Sequence, residues 1–199
     1  MKAVLHRREV VNALLEDRGD LLAVAGLGSA AWDITAAGDS ALSFPLWGAM
    51  GGAAMLGLGL ALAQPRRRVL VVTGDGEMLM GLGSLAAIAA QRPRNLAIVV
   101  LDNQRYGETG MQATHTAYGV DLAGMAKAAG FAQVLRVTGK PGVEQLCRRI
   151  YAKGKAAGPL FAQVRVVAEK LPLVLPPREG TYLKNRFRIA LLGVSAAQD

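Results

Sequence analysis

The chain has 199 residues, 52% of them hydrophobic and only 5% aromatic, and a formal net charge of +8. That length fits one domain able to bury a core of its own, and the wealth of aliphatic residues and glycine suits a doubly wound α/β arrangement. Cys147 stands alone, which excludes an internal disulfide and fits a reducing cytoplasm.

The opening stretch Met1–Glu9 reaches charged residues too soon for the apolar core of a signal peptide. The basic excess does not point to nucleic acid. Its members are scattered, as Arg66-Arg67-Arg68, Arg148-Arg149, and Lys184, Arg186 and Arg188 near the end, with no aromatic residues interleaved. Solvated helix faces and attraction for an anionic substrate are the favoured reading. Ser40 to Pro65 carries no charge, so a membrane span has to be weighed. Pro45 interrupts that run, and the rest, Gly48 to Ala63, is Gly- and Ala-rich and short for a bilayer. Gly48 and Gly52 make a Gly-x-x-x-Gly pattern, which favours close helix contact in lipid and in water. The expectation is a helix pressed on a sheet or on a partner subunit.

In chain order, Val4 to Asp17 reads as a helix with Val10, Val11, Leu14 and Leu15 on one face. Leu21 to Ala25 is a strand, Ala30 to Ala36 a helix, Ala41 to Phe44 a second strand, and Met50 to Ala63 the Gly-rich helix. Val69 to Thr73 is a strand, Leu79 to Gln91 a helix, and Leu96 to Leu101 a strand. Gln104 to Gly119 is a long polar loop, a kind of segment that is usually functional or disordered. Leu122 to Ala129 is a helix, Gln133 to Val137 a strand, Gly142 to Lys153 a helix with Pro141 at its start, and Leu160 to Val167 the last strand. Residues 1–170 form the domain; 171–199 form a Pro-rich basic tail with a helix from Tyr182 to Leu192. The alternation implies a parallel sheet with helices on both faces.

Two strands end in oxygen ligands. Val69-Leu70-Val71-Val72 runs into Thr73-Gly74-Asp75-Gly76-Glu77, and Leu96 to Leu101 runs into Asp102-Asn103. Ligands of open α/β sheets bind at that edge. Asp75 and Asn103 are therefore candidates to hold one hard cation, Mg²⁺, together with phosphate oxygens. Gly74 and Gly76 let the backbone turn tightly and approach a diphosphate, while the N–H groups of Gly76 and Glu77 face it as the next helix begins. The rival reading is a strand-to-helix turn that happens to contain Asp. Glu77 either caps the helix N-terminus or reaches the metal through water, and it weakens phosphate binding unless it points away. Gly26-Leu27-Gly28-Ser29 could imitate a dinucleotide fingerprint, but Ala31 stands where its third glycine belongs.

The spacing of Gly74-Asp75-Gly76 and Asp102-Asn103 resembles the thiamine-diphosphate motif, with Asp102 in place of the first Asn of the usual pair. The stretch Tyr106-Gly107-Glu108-Thr109-Gly110-Met111-Gln112, followed by Val120-Asp121-Leu122-Ala123, resembles the sulfopyruvate decarboxylase β-subunit and phosphonopyruvate decarboxylase. Trp47-Gly48-Ala49-Met50-Gly51 is similar to the Gly-Ser-Met-Gly turn of that family, with Ala49 replacing Ser. The resemblance covers roughly Leu21 to Val167. It implies a three-layer α/β/α fold with a mostly parallel six-stranded sheet. It also implies a metal set of Asp75, Asn103 and the carbonyl of Arg105, and places Gly28 and Ser29 near the diphosphate, although a helix N-cap is an equal reading of Ser29. Met50 would wedge between the cofactor rings and the Gly48 carbonyl would accept from the aminopyrimidine; core packing is the usual role of a lone Met.

The implied activity is decarboxylation of a 2-oxoacid, with carbanion chemistry from thiamine diphosphate. His115 and Gln112, on the loop after a metal ligand, are candidates for substrate contact or proton transfer, against simple solvation. Enzymes of this kind need a Glu that protonates the pyrimidine ring, on a separate pyrimidine-binding domain. Glu77 and Glu108 lie at the phosphate end. Obligate assembly with a second chain that carries that Glu is therefore expected. A non-catalytic cofactor-binding module, and a subunit of a carboligating or oxidising enzyme, stand as alternatives.

Overall fold

The structure is a computed structural model and describes residues 4–152 and 157–197. Its elements run α1 (Arg7–Leu15), β1 (Leu22–Ala25), α2 (Ser29–Ala36), β2 (Ser43–Pro45), α3 (Ala53–Ala63), β3 (Val69–Gly74), α4 (Asp75–Met80), α5 (Ser84–Gln91) and β4 (Leu96–Asp102). There follow β5 (Arg105–Tyr106), β6 (Gln112–Ala113), α6 (Leu122–Ala129), β7 (Gln133–Val137), α7 (Lys140–Ile150), β8 (Leu160–Arg165) and α8 (Gly180–Leu192). Six strands form one sheet in the order β2-β1-β3-β4-β8-β7, and every neighbouring pair is parallel.

The central strands are buried on both faces, as their unbroken apolar runs require. Along β3 and β4, residues Val69 to Val72 and Leu96 to Leu101 are all buried. Alternate residues feed two cores. Leu70, Val72, Ala97 and Val99 face α1, α2 and α7, whereas Val71, Ile98 and Val100 face α3, α5 and α6. This is the three-layer α/β/α arrangement expected from the alternation.

The chain leaves β1 toward β2 and leaves β3 toward β4, on opposite sides, so a topological switch point lies between β1 and β3. Crevices of this kind take ligands in open α/β sheets. The loops that diverge there are Gly26–Gly28 and Gly74–Gly76.

Several elements differ from expectation. The helix expected from Leu79 to Gln91 is two helices, α4 and α5. Between them Gly81 passes so close to the backbone of Gly51 that a Cβ on it would lie 2.2 Å from the Gly51 carbonyl oxygen. Helix α3 starts at Ala53 rather than Met50, because Ala49 and Gly51 adopt positive φ of 56° and 87°. The close approach of α3 to the sheet is made by Gly57, whose Cβ would lie 2.2 Å from Val71 Cγ2, and not by the Gly48/Gly52 pair, which precedes the helix. The polar loop contains the two-stranded antiparallel hairpin β5–β6. Helix α7 begins two residues earlier than expected, and its expected end at Lys153 lies outside the described residues.

Beyond Leu171 the chain packs back on the body. Phe187 meets Phe44 edge-on at 5.3 Å between centroids, Arg186 pairs with Asp39 at 2.6 Å, and Trp47 Nε1 donates to the Pro177 carbonyl at 2.8 Å. Among the described residues no helix is long and apolar enough to cross a membrane.

Candidate functional site

One cavity opens at the switch point. Its wall takes Ser29 from α2, Thr73, Gly74, Asp75, Gly76 and Glu77 from the β3–α4 junction, and Asn103, Arg105 and Tyr106 from the end of β4 onward; Met50 also borders it. Residues expected from two strand tips therefore meet in one place. The cavity measures about 120 Å³, well below the roughly 300–1,000 Å³ that enclose a small molecule.

Asp75 is the best-defined group in it. The residue is 1% exposed; Thr114 Oγ1, on one side of His115, donates to its Oδ2, and the hydroxyl of Thr116, on the other side, stands 3.0 Å from the same oxygen. Among the described side chains nothing donates to Oδ1, which is left for an occupant. Burial pushes the Asp75 carboxyl up from its ordinary 3.8 to about 6; the Thr114 hydrogen bond opposes that rise, and the charge of Asp102 adds to it. A buried carboxylate of this kind is short of positive charge.

Asp102, where the usual motif has Asn, is a structural hub. It accepts from Thr116 at 2.8 Å, from Gln163 Nε2 at 2.8 Å and from Arg165 Nη1 at 3.1 Å. Its backbone continues into Asn103, whose Oδ1 accepts from the Arg105 amide at 2.8 Å in an Asx turn. Gln104, between them, has a φ of 61°, and its side chain donates to the Thr116 carbonyl at 2.8 Å. The loop is thereby tied back onto the threonines that hold Asp75.

The glycines have distinct roles. A Cβ on Gly76 would strike the Tyr106 ring at 2.5 Å, so that glycine admits the ring. Gly74 has open space where a Cβ would stand, room that a phosphate can fill. Glu77 does not point into that space. Thr73 Oγ1 donates to its Oε2 at 2.6 Å, and the carboxylate presses against Gly26, where a Cβ would collide with it. Burial raises its pKa.

Other expected residues are not brought into the cavity. His115 and Gln112 are exposed and do not line it. His115 Nδ1 lies 3.5 Å from the Tyr106 hydroxyl, and Gln112 folds back on Thr109 at 2.9 Å. Gly48 is exposed and Gly28 buried; neither borders the cavity. Met50 borders it and is 61% exposed. Sequence reasoning missed the grip of Thr114 and Thr116 on Asp75, and it missed Arg7. The Thr-x-Thr spacing is a faint signal for the first; nothing local marks the second.

The donor set fits Mg²⁺. One carboxylate oxygen, one amide oxygen and a backbone carbonyl at the end of parallel strands are hard oxygen ligands that leave positions for phosphate and water. Among the described residues no cluster of three His, Cys, Asp or Glu side chains could hold a metal instead.

Comparison with known proteins agrees with this geometry. The model of the thiamine pyrophosphate enzyme, C-terminal TPP binding domain, matches residues 27–164. The chain belongs to that family. It is 40% identical over 163 residues to the sulfopyruvate decarboxylase subunit beta of Methanothermobacter thermautotrophicus, covering 82% of this chain and 83% of that one. It is 35% identical over 152 residues to the sulfopyruvate decarboxylase of Methanosarcina acetivorans, but spans only 39% of that protein. With the phosphonopyruvate decarboxylase of Streptomyces viridochromogenes it shares 44% identity over 115 residues, 58% of this chain and 28% of that one. The benzoylformate decarboxylase of Polynucleobacter necessarius has the same fold, with a TM-score of 0.68 at 19% identity over 85% of this chain and 34% of that one. In this thiamine pyrophosphate family member the match begins at Leu27, at the switch-point loop, and ends within β8.

Proposed function

We propose that this chain is the thiamine-diphosphate- and Mg²⁺-binding subunit of a 2-oxoacid decarboxylase, acting on a substrate of the sulfopyruvate or phosphonopyruvate type. The observation that carries this reading is the meeting of Asp75 and Asn103, from neighbouring strands, in one cavity with the Asp75 carboxylate buried and both of its threonine contacts on Oδ2. Asp75 Oδ1, Asn103 Oδ1 and the Arg105 carbonyl would hold the metal, with Thr114 and Thr116 fixing the carboxylate. The Ser29 hydroxyl and the first-turn N–H groups of α4 would donate to the diphosphate. Met50 would pack against the cofactor from the cavity rim. When bound, the cofactor supplies the carbanion chemistry that lets a 2-oxoacid lose carbon dioxide.

The cavity is too small to enclose a cofactor, which supports a partner subunit contributing the pyrimidine-binding half and the activating Glu. So does the apolar surface beside it, where Met50, Met55, Leu56, Leu62 and Met80 are each at least 39% exposed. A cytoplasmic hetero-oligomer is the proposed state. His115 and Gln112 keep a role in this reading only if the loop from Gln104 to Gly119 closes over the substrate.

The test is titration of thiamine diphosphate with Mg²⁺ into the chain alone and into its complex with the partner subunit, followed by 2-oxoacid turnover. Metal-dependent binding that disappears in Asp75→Ala, with turnover only in the complex, is the expected result. Undiminished affinity in Asp75→Ala overturns the ligand set. Binding without turnover in the complex favours a non-catalytic module.

A further inference from the structure

Arg7 is a cation that the family motif leaves unexplained. It opens α1, is only 3% exposed, and lines the same cavity as Ser29, Asp75 and Asn103. Its carboxylate partner is Asp33 on α2, which is fully buried. Arg8 reaches the other oxygen of that carboxylate at 3.1 Å. Two guanidinium groups thus share one carboxylate, and one positive charge is left over. Arg8 is partly solvated and also donates to the Pro172 carbonyl at 2.9 Å, so water screens its share. Arg7 has no such relief, and a buried surplus charge is costly until an anion meets it.

The geometry leaves Arg7 able to meet one. Among the described residues both of its hydrogen bonds leave from Nη1, to Asp33 and to the Ser29 carbonyl, the latter at 3.2 Å. Nε and Nη2 keep the planar fork of donors that suits phosphate oxygens. Beside them α2 begins at Ser29 with no side chain capping it, so its first N–H groups border the cavity as well.

The carboxylate of Glu108 also borders this cavity, on the loop after β5. Its Oε1 lies 2.5 Å from the point a Gly28 Cβ would occupy, and Gly28 has a φ of +75°. Partial burial raises the pKa of that carboxyl, and the positive charge of Arg7 opposes the rise.

Resting on the thiamine-diphosphate reading, we propose that Arg7 is a diphosphate-binding residue and that Glu108 is an internal anion competing for the same place. A diphosphate brings more negative charge than one divalent cation offsets, and Arg7 supplies part of the difference. Glu108 holds the corner until the diphosphate displaces it.

Calorimetric binding of inorganic pyrophosphate with Mg²⁺ to the chain tests this without any turnover. Arg7→Gln is expected to weaken binding at least about tenfold and Arg7→Lys less, while Glu108→Gln tightens it several-fold. The gain from Glu108→Gln should vanish in an Arg7→Gln background. A purely structural Arg7 would lower the melting temperature of its variants and leave the affinity of the folded protein unchanged; that result, or weaker binding in Glu108→Gln, overturns the proposal. If Arg7→Gln does not fold, Arg7→Lys and Glu108→Gln carry the test. Failure of the wild-type chain to bind, or binding that survives in Asp75→Ala, overturns the site reading and this proposal with it, so the two failures are told apart.

Discussion

Asp75 and Asp102, at the ends of neighbouring strands, share the hydroxyl of Thr116, which lies 3.0 Å from one carboxylate and 2.8 Å from the other. A hydroxyl has one proton to donate. It satisfies one carboxylate at a time, and the second contact needs a proton or a cation on Asp75. Thr116→Val removes the shared donor from a site where all three residues are buried. The expected cost is about 1–3 kcal/mol in chemical denaturation, with weaker Mg²⁺ binding. Thr116→Ser, which keeps the hydroxyl, should recover most of it. A Thr116→Val variant as stable as wild type beside a destabilised Thr116→Ser would assign the effect to the methyl group and overturn the prediction.

The raised pKa of Asp75 makes the site a liability to the unliganded fold. The carboxyl titrates near 3.8 unfolded and at about 6 folded, so between those values the native state binds more protons and stability falls as pH rises. Above pH 6 the whole penalty applies, roughly 3 kcal/mol. Asp75→Asn removes the charge and leaves an amide oxygen for Thr114 and Thr116 to donate to. Without Mg²⁺ and cofactor it is expected to be more stable than wild type at pH 7 by about 1–3 kcal/mol, with the difference shrinking toward pH 4. With them, wild type should gain stability and the variant should not. Thermal unfolding at the two pH values reads both; a variant less stable than wild type at pH 7 would refute the argument.

What was legible in the sequence was local. The apolar runs at β3 and β4 and the helix from Leu122 to Ala129 are short-range patterns, and all three elements appear where expected; the cap that Asp121 gives α6 through the Gly124 amide at 3.0 Å was not read. The convergence of Asp75 and Asn103 was legible because parallel strands of similar length end on the same edge. What escaped depends on contacts across the chain. The break between α4 and α5 comes from Gly81 lying under Gly51, thirty residues earlier. Arg7 reaches the cavity only because α1 packs against α2. Thr114 and Thr116 sit in a loop whose path is set by the hairpin and by Gln104, not by any periodicity.

The N-terminal segment is pinned by a pH-sensitive contact. Leu5 bridges Val166 in parallel fashion, and beside it His6 Nδ1 lies 2.9 Å from Glu169 Oε2. The hydrogen bond to Glu169, then its charge, raises the His6 pKa above 6.5, with Glu9 adding to the effect. The pair therefore supports docking of this segment fully below pH 6.5, and that support fades as pH climbs through the raised value. An NMR titration of His6 should show the elevated midpoint, and Glu169→Gln should return it to the ordinary range. A midpoint unmoved by Glu169→Gln would discard the contact.

Two glycines of α3, two residues apart, should answer the same substitution with opposite signs. Gly57 faces β3, where an added Cβ would lie 2.2 Å from Val71 Cγ2 and 3.3 Å from Leu96 Cδ1, whereas Gly59 has nothing within 4 Å. Alanine in place of glycine gains about 1 kcal/mol of helix propensity at either position. At Gly57 the gain is outweighed, because Val71 is fully buried, its branched side chain has little rotameric freedom, and overpacking costs about 1–3 kcal/mol. Gly57→Ala is thus expected to destabilise the isolated chain, and Gly59→Ala to stabilise it by about 0.5–1 kcal/mol. Denaturant titrations of both variants decide the matter. Equal stabilisation would mean that α3 does not press on the sheet through Gly57.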